Sequence, residues 1–173
     1  MTYIKRIHKR MHKHTTSILK YAVLALSVTL TTTLQAKSIN DSSQVQKLSK
    51  AQIECLVLNS YMEARNQGVK GMQAVTWVVL NRTKHPSYPP TPCAVIYAPF
   101  QFEWTRNGKT PQVKEKDAYT QAERVVEGVL SGKLKDNTNS STHFHSARIK
   151  PKWASRLSYT TTIGSHCFYK LKK

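Results

Sequence analysis

The hydrophobic positions in the middle of the chain recur at helical spacing. They predict a first helix over residues 50–66, a second over 70–83 and a third over 116–130. Ser49 can cap the first helix, and Gln52 three positions later would complete a capping box. This part of the chain is therefore expected to be mainly helical.

The C-terminal part lacks helical spacing and contains two strand candidates, over residues 142–145 and 163–169. A proline-rich loop after the second helix leads into a short helical turn over 93–97. Gly68 lies just past the first helix, and helices commonly end at a glycine in the left-handed conformation. Helices followed by a small β-hairpin region predict an α+β fold, mainly helical, in a single domain over 49–173.

Residues 1–36 have the pattern of a secretory signal peptide. Basic residues precede an apolar run over 21–30, and Ala36 is a small residue at the expected cleavage position. The apolar run is short for a bilayer span, although a retained anchor is the alternative. Residues 37–48 are polar and predict a flexible leader. We expect an exported protein that touches the membrane only transiently, through its signal.

The charge of the chain is strongly positive. The sequence has 27 Lys and Arg against 9 Asp and Glu, a formal net charge of +18. This excess favours an anionic partner such as a nucleic acid, a membrane surface or a cell-wall polymer. Because an exported protein does not meet nucleic acid, we expect the partner to be a cell-wall polymer. We also expect the protein to be a monomer.

Export also predicts that two of the three cysteines form a disulfide, because the compartment outside the cytoplasm is oxidising. The sequence alone leaves the pairing open. We expect Cys55 to bond Cys93, which would tie the first helix to the segment after the proline loop. Cys167 lies in an apolar context and is expected to be a buried thiol.

Short motifs occur in an order that resembles one enzyme family, the SleB/CwlJ-type cell-wall hydrolases, in the form with cysteines at the positions of Cys55 and Cys93. The resemblance covers about residues 52–170. The motifs that carry it are YMEAR at 61–65, VLNR at 79–82, QFEWT at 101–105, THFH at 142–145, PKWA at 151–154 and IGSHCFY at 163–169.

The resemblance implies a small lysozyme-like domain that acts on peptidoglycan glycan strands, with Glu63 at the position of the catalytic glutamate. Described members resemble lytic transglycosylases. The sequence departs from the family pattern at Glu103, where a small residue is usual, at Ser140-Ser141, where Gly-Ala is common, and at Cys167, where an aliphatic residue is usual.

The position of Glu63 agrees with this role. It lies near the C-terminal end of the first helix, where the helix dipole disfavours a negative charge, and its neighbours are apolar. Both effects favour the protonated carboxyl that a general acid requires. The alternative is an ordinary exposed helix residue.

Hydrolysis of a glycoside normally takes a second carboxylate, and Glu103 and Asp136 are the candidates. Without one, Glu63 can protonate the leaving oxygen while the muramyl C6 hydroxyl attacks C1 and forms a 1,6-anhydro product. Lytic transglycosylation by Glu63 alone is therefore our main hypothesis, with hydrolysis assisted by Glu103 as the alternative. Neither reaction requires a cofactor.

Several polar and aromatic side chains could line a glycan groove, by stacking on sugar rings or bonding their substituents. The candidates are Trp104, Gln101, Phe102, Tyr97, His143 and His145.

Two other functions fit the sequence less well. His143, His145 and His166 could form a catalytic zinc site of an amidase or endopeptidase, although no H-E-x-x-H helix is present. A non-catalytic cationic wall binder would account for the charge but would leave Glu63 without a role.

Overall fold

The structure, a computed structural model, describes residues 48–172. They contain four α-helices and two short 3₁₀ helices, with a three-stranded antiparallel sheet in the C-terminal part. The predicted signal and nearly all of the predicted leader lie outside these residues. Between residues 48 and 172, no helix is both long and apolar enough to cross a membrane. The helices are α1 Lys50–Ala64, α2 Gly68–Thr83, α3 Pro92–Ile96 and α4 Lys116–Leu130, and the strands are β1 His143–Ser146, β2 Ser158–Ile163 and β3 His166–Lys170.

The start of α1 follows only half of the predicted capping box. The Ser49 hydroxyl accepts a hydrogen bond from the Gln52 backbone N–H at 3.4 Å, as a capping residue should. The Gln52 side chain does not bond back to Ser49. It accepts instead from the backbone N–H of Cys93 at 2.8 Å, so it links α1 to α3.

The core lies where α1, α2 and α4 pack on one another. Tyr61 from α1, Val75 and Val79 from α2, and Val126 from α4 are each at most 2% exposed. A smaller cluster joins α2 to the sheet, because Phe168 of β3 packs on Ala74 and Val78. The predicted helical faces are thus confirmed as the buried faces.

The predicted strand over 163–169 is wrong as a single element. It contains the turn of a hairpin, in which Ile163 ends β2, His166 begins β3 and these two residues pair. Gly164 has a φ of +57°, which glycine adopts readily. The Gly-Ser dipeptide between apolar and aromatic runs was the available signal for this turn, and the β-branched residues before it mark the missed strand β2.

The predicted disulfide between Cys55 and Cys93 is confirmed, with a sequence separation of 38. It joins α1 to α3 beside the Gln52–Cys93 hydrogen bond. Cys167 is a free thiol on β3 and is partly exposed, so the expectation that it is fully buried is wrong.

Replacing both Cys55 and Cys93 by serine should lower the free energy of unfolding by about 4 kcal/mol, because the disulfide restricts a long loop of the unfolded chain. Urea unfolding at neutral pH measures this change. Cys167→Ser is the matched control and should shift the midpoint little. An unchanged midpoint in the double variant would contradict the assigned role of the disulfide.

Candidate active site

Glu63 lies in the last turn of α1, partly buried, and forms part of the wall of a cavity of about 650 Å³. The wall on the helix side continues through Met62, Arg65, Asn66 and Gln67. The wall on the sheet side is formed by Ser146, Arg148, Ser165 and His166. The cavity therefore lies between the α1–α2 turn and the ends of the strands.

The pKa of Glu63 is raised from 4.5 to about 7. Burial is the largest cause, because a desolvated carboxylate loses hydration. The positive charge of Arg82 acts in the opposite direction and lowers the pKa, while the negative charge of Glu103 adds a smaller increase. A carboxyl with this pKa can donate and then accept a proton near neutral pH.

Arg82 supplies a fixed positive charge from α2. Its side chain is only 6% exposed, and its Nε donates a hydrogen bond to the Thr142 carbonyl oxygen at 2.7 Å. The guanidinium lies over the rings of Tyr88 and Phe102, at 5.4 and 5.5 Å from their centroids. Among residues 48–172 the ion pairs join Arg65 to Glu115 and Arg106 to Glu103, so the Glu63 carboxyl remains free to react.

Tyr97 and Trp104 form an aromatic pair that is connected to α1. The Trp104 indole N–H donates to the Oδ1 atom of Asn59 at 3.0 Å, and Asn59 lies one helical turn before Glu63. The Tyr97 ring packs edge-on against Trp104 at 5.7 Å and is 52% exposed. Gln101 is also exposed, and its amide donates to the nearby Pro99 carbonyl oxygen at 3.4 Å.

Two of the predicted groove residues are instead buried. Phe102 is 3% exposed and packs in the core, where its ring lies 6.4 Å from that of Phe144. His145 is 8% exposed, stacks on Tyr169 and shares a 3.0 Å hydrogen bond with the Tyr169 hydroxyl. Neither ring can stack on a sugar in this structure, so the prediction that they line the groove is corrected.

His143 lies on the sheet face covered by Trp153, which also contacts His145. It is not among the residues that line the cavity beside Glu63. Burial, with a further contribution from the positive charge of Arg82, lowers the pKa of His143 to about 4. His143 is therefore neutral near pH 7. Its groove position stays a prediction, because the exposed groove candidates Tyr97 and Gln101 do not line this cavity either.

The strand register separates the three histidines of the zinc hypothesis. His143 pairs with Tyr169 and His145 with Cys167, whereas His166 pairs with Ser146. Since neighbouring residues of a strand point to opposite faces, His166 faces away from the other two histidines. Within residues 48–172, no three His, Cys, Asp or Glu side chains are placed to hold a metal.

The two candidates for a second carboxylate have other partners. Both carboxylate oxygens of Glu103 accept hydrogen bonds from Arg106, at 2.9 and 3.0 Å, and the side chain is exposed. Asp136 accepts from the side chains of Asn81 and Thr138 and from the Ser140 backbone N–H. Burial would raise the pKa of Asp136, but these hydrogen bonds together hold it below its ordinary value.

The Asp136 hydrogen bonds also explain one departure from the family pattern. Ser140 adopts a φ of +62°, a left-handed conformation that glycine would adopt with less strain. Its N–H bond to Asp136, at 3.0 Å, stabilises this turn. Asn81 donates to the Asp136 carboxylate and to the Ser141 carbonyl oxygen, so it fixes the loop before β1.

Sequence reasoning missed the basic residues of the cavity. Arg148 follows β1, and Arg65 belongs to the YMEAR motif, two residues after Glu63. No periodicity or spacing relates residues so far apart in the chain. The available signal was the charge of the C-terminal part, where no acidic residue follows Asp136.

Comparison with known proteins places the chain in a family. The cell wall hydrolase family model matches residues 66–169, and the chain therefore belongs to the cell wall hydrolase family. A search of curated proteins gave no match.

Two solved structures are similar to this chain. The catalytic domain of the germination-specific lytic transglycosylase SleB from Bacillus anthracis is 25% identical, with a TM-score of 0.59 over 72% of this chain and 98% of that one. The catalytic domain of the Bacillus cereus SleB protein is 22% identical, with a TM-score of 0.58 over 76% and 99%. The predicted mainly helical α+β fold is thereby confirmed.

The family match begins three residues after Glu63. Support for Glu63 as a candidate acid therefore comes from its burial, its raised pKa and its place in the cavity, and not from the family match.

The raised pKa predicts that Glu63 destabilises the protein at high pH. Below pH 4.5 the carboxyl is protonated in the folded and unfolded states, whereas above pH 7 it is ionised in both and its burial is unfavourable. The substitution Glu63→Gln should therefore change the free energy of unfolding differently at the two ends of this range. Its effect should be about 3 kcal/mol more stabilising at pH 8 than at pH 4. Urea unfolding at both pH values tests this, and an equal effect at both would contradict the raised pKa.

Proposed function

We propose that this domain is an exported lytic transglycosylase that cleaves peptidoglycan glycan strands between N-acetylmuramic acid and N-acetylglucosamine. The observation that carries the proposal is the single carboxyl of the cavity, Glu63, with a pKa of about 7. Membership of the cell wall hydrolase family supports the substrate, and the similarity to the B. anthracis lytic transglycosylase supports the type of reaction.

In the proposed reaction, protonated Glu63 donates its proton to the glycosidic oxygen as the bond from this oxygen to the muramyl C1 breaks. The C6 hydroxyl oxygen of the same muramyl residue then bonds to C1 and gives its proton to the Glu63 carboxylate. The products are a 1,6-anhydromuramyl end and a free N-acetylglucosamine 4-hydroxyl. The acid is regenerated, and no water is consumed.

The environment of Glu63 suits both halves of this reaction. Burial keeps the carboxyl protonated before bond cleavage, and the positive charge of Arg82 stabilises the carboxylate formed afterwards. Tyr97 and Trp104 offer aromatic surface near the same helix face for the sugar rings, and Gln101 offers an exposed amide. These three residues, together with His143, remain our candidates for the glycan groove.

The location and assembly of the protein are further parts of the proposal. Peptidoglycan lies outside the cytoplasm, which is consistent with the signal predicted over residues 1–36. We propose that the exported domain acts as a monomer.

Digestion of purified peptidoglycan, followed by mass spectrometry of the soluble products, tests the reaction. We expect muropeptides lighter than the reducing forms by one water, which indicates 1,6-anhydro ends. Glu63→Gln should lower the rate by about 10²–10⁴-fold, the usual contribution of a general acid. Glu54→Gln, on the same helix but lining a different cavity, is the matched control and should retain activity. Normal cleavage by Glu63→Gln would refute the assignment.

The Glu103 alternative has a separate test. If Glu103 acts only through its charge, Glu103→Gln should retain activity and lower the pKa of Glu63 slightly. The high-pH limb of the rate profile, where Glu63 loses its proton, should then move to lower pH. A loss of activity of several orders of magnitude in Glu103→Gln, with reducing ends formed by the wild type, would identify a hydrolase.

A further inference from the structure

The cavity beside Glu63 is larger than proton transfer requires. Its volume of about 650 Å³ is within the range of sites that bind whole ligands. Its lining is mostly polar, with Arg65 on one wall and Arg148 on the other. Glu63 is its one acidic lining residue, so the cavity is suited to an anionic group.

The two arginines differ in how free they are to bind a ligand. Arg148 is exposed, and its side chain forms no ion pair or hydrogen bond within residues 48–172. Arg65 forms an ion pair with Glu115 at 3.4 Å and donates to the Met62 carbonyl oxygen, which fixes its position at the rim. Arg148 is therefore the main candidate to pair with an anion, with Arg65 as a second positive charge.

One hydrogen bond, from Ser165 to Gln67, joins the two walls, so the cavity is preformed. The Gln67 side-chain oxygen accepts from the Ser165 backbone N–H at 2.8 Å, and its amide donates to Asn66 at 2.9 Å. Gly164 leaves the room for this contact, since a Cβ there would lie 2.4 Å from the Gln67 oxygen. The hairpin turn and the α1–α2 turn are thus held together next to Glu63.

The substrate has one anionic part that must lie close to Glu63. In peptidoglycan each muramyl residue carries a lactyl ether on C3, two ring carbons from the C1 atom at which Glu63 acts. A peptide with free carboxylates extends from this ether, whereas the N-acetyl and hydroxyl groups of the strand are neutral. The aromatic pair Tyr97 and Trp104 can stack on the neutral sugar rings. The basic cavity is better matched to the carboxylates of the peptide.

We propose that this cavity binds the acidic stem peptide of the muramyl residue, with Arg148 pairing with its carboxylates. The inference rests on the proposed glycan cleavage, and it makes peptide-bearing strands the preferred substrate. A charge-assisted pairing of this kind is expected to raise kcat/KM about tenfold on peptide-bearing strands.

The test compares peptide-bearing glycan strands with strands from which an amidase has removed the peptides. The wild type should have a kcat/KM about tenfold higher on the peptide-bearing strands. Arg148→Gln should reduce this ratio to near one, mainly through KM. Arg124→Gln on α4, which removes the same charge at a different cavity, is the matched control and should retain the ratio. Unchanged thermal melting of Arg148→Gln confirms that the variant is folded.

The outcomes separate this inference from the proposed function. Equal wild-type kcat/KM on both substrates would overturn the peptide subsite while leaving glycan cleavage intact. An equal loss on both substrates in Arg148→Gln would overturn it as well, because the arginine would then act on the sugar or its lactyl group. Failure of the wild type to cleave either substrate would instead overturn the proposed function, and the inference with it.

Discussion

The proposed chemistry of this protein depends on the burial of one carboxyl group. Glu63 sits in the last turn of α1, where desolvation raises its pKa to about 7 and the nearby charge of Arg82 limits the rise. Arg82 is itself held by the Thr142 carbonyl oxygen and by the rings of Tyr88 and Phe102. The pKa of Glu63 therefore depends both on the packing of the helices and on the position of the sheet. A change in either would shift this pKa.

The scaffold around the acid is organised to hold α1 in place. The Cys55–Cys93 disulfide and the Gln52 hydrogen bond tie its first half to α3, and the Trp104–Asn59 bond fixes its second half. The sheet is joined to the turn after α1 through Gln67. Connections along its whole length make the C-terminal end of α1 a rigid position for a catalytic group.

The sequence predicted what depends on local pattern or on charge. The helical faces, the Ser49 cap and the environment of Glu63 could be inferred because apolar spacing, capping residues and helix position act over a few residues. Phe102 and His145 could not be placed, since whether an aromatic side chain is buried is decided by distant elements that pack on it. The place of Arg65 and Arg148 in the cavity could not be predicted for the same reason.

Titration of the Glu63 carboxyl by NMR, with selectively ¹³C-labelled glutamate and with Glu63→Gln to identify its signal, tests the central claim most directly. The account predicts a pKa of about 7, at which the carboxyl is still half protonated at neutral pH. A pKa near the ordinary value of 4.5 would contradict the account, because Glu63 would then be ionised when the glycosidic oxygen needs its proton.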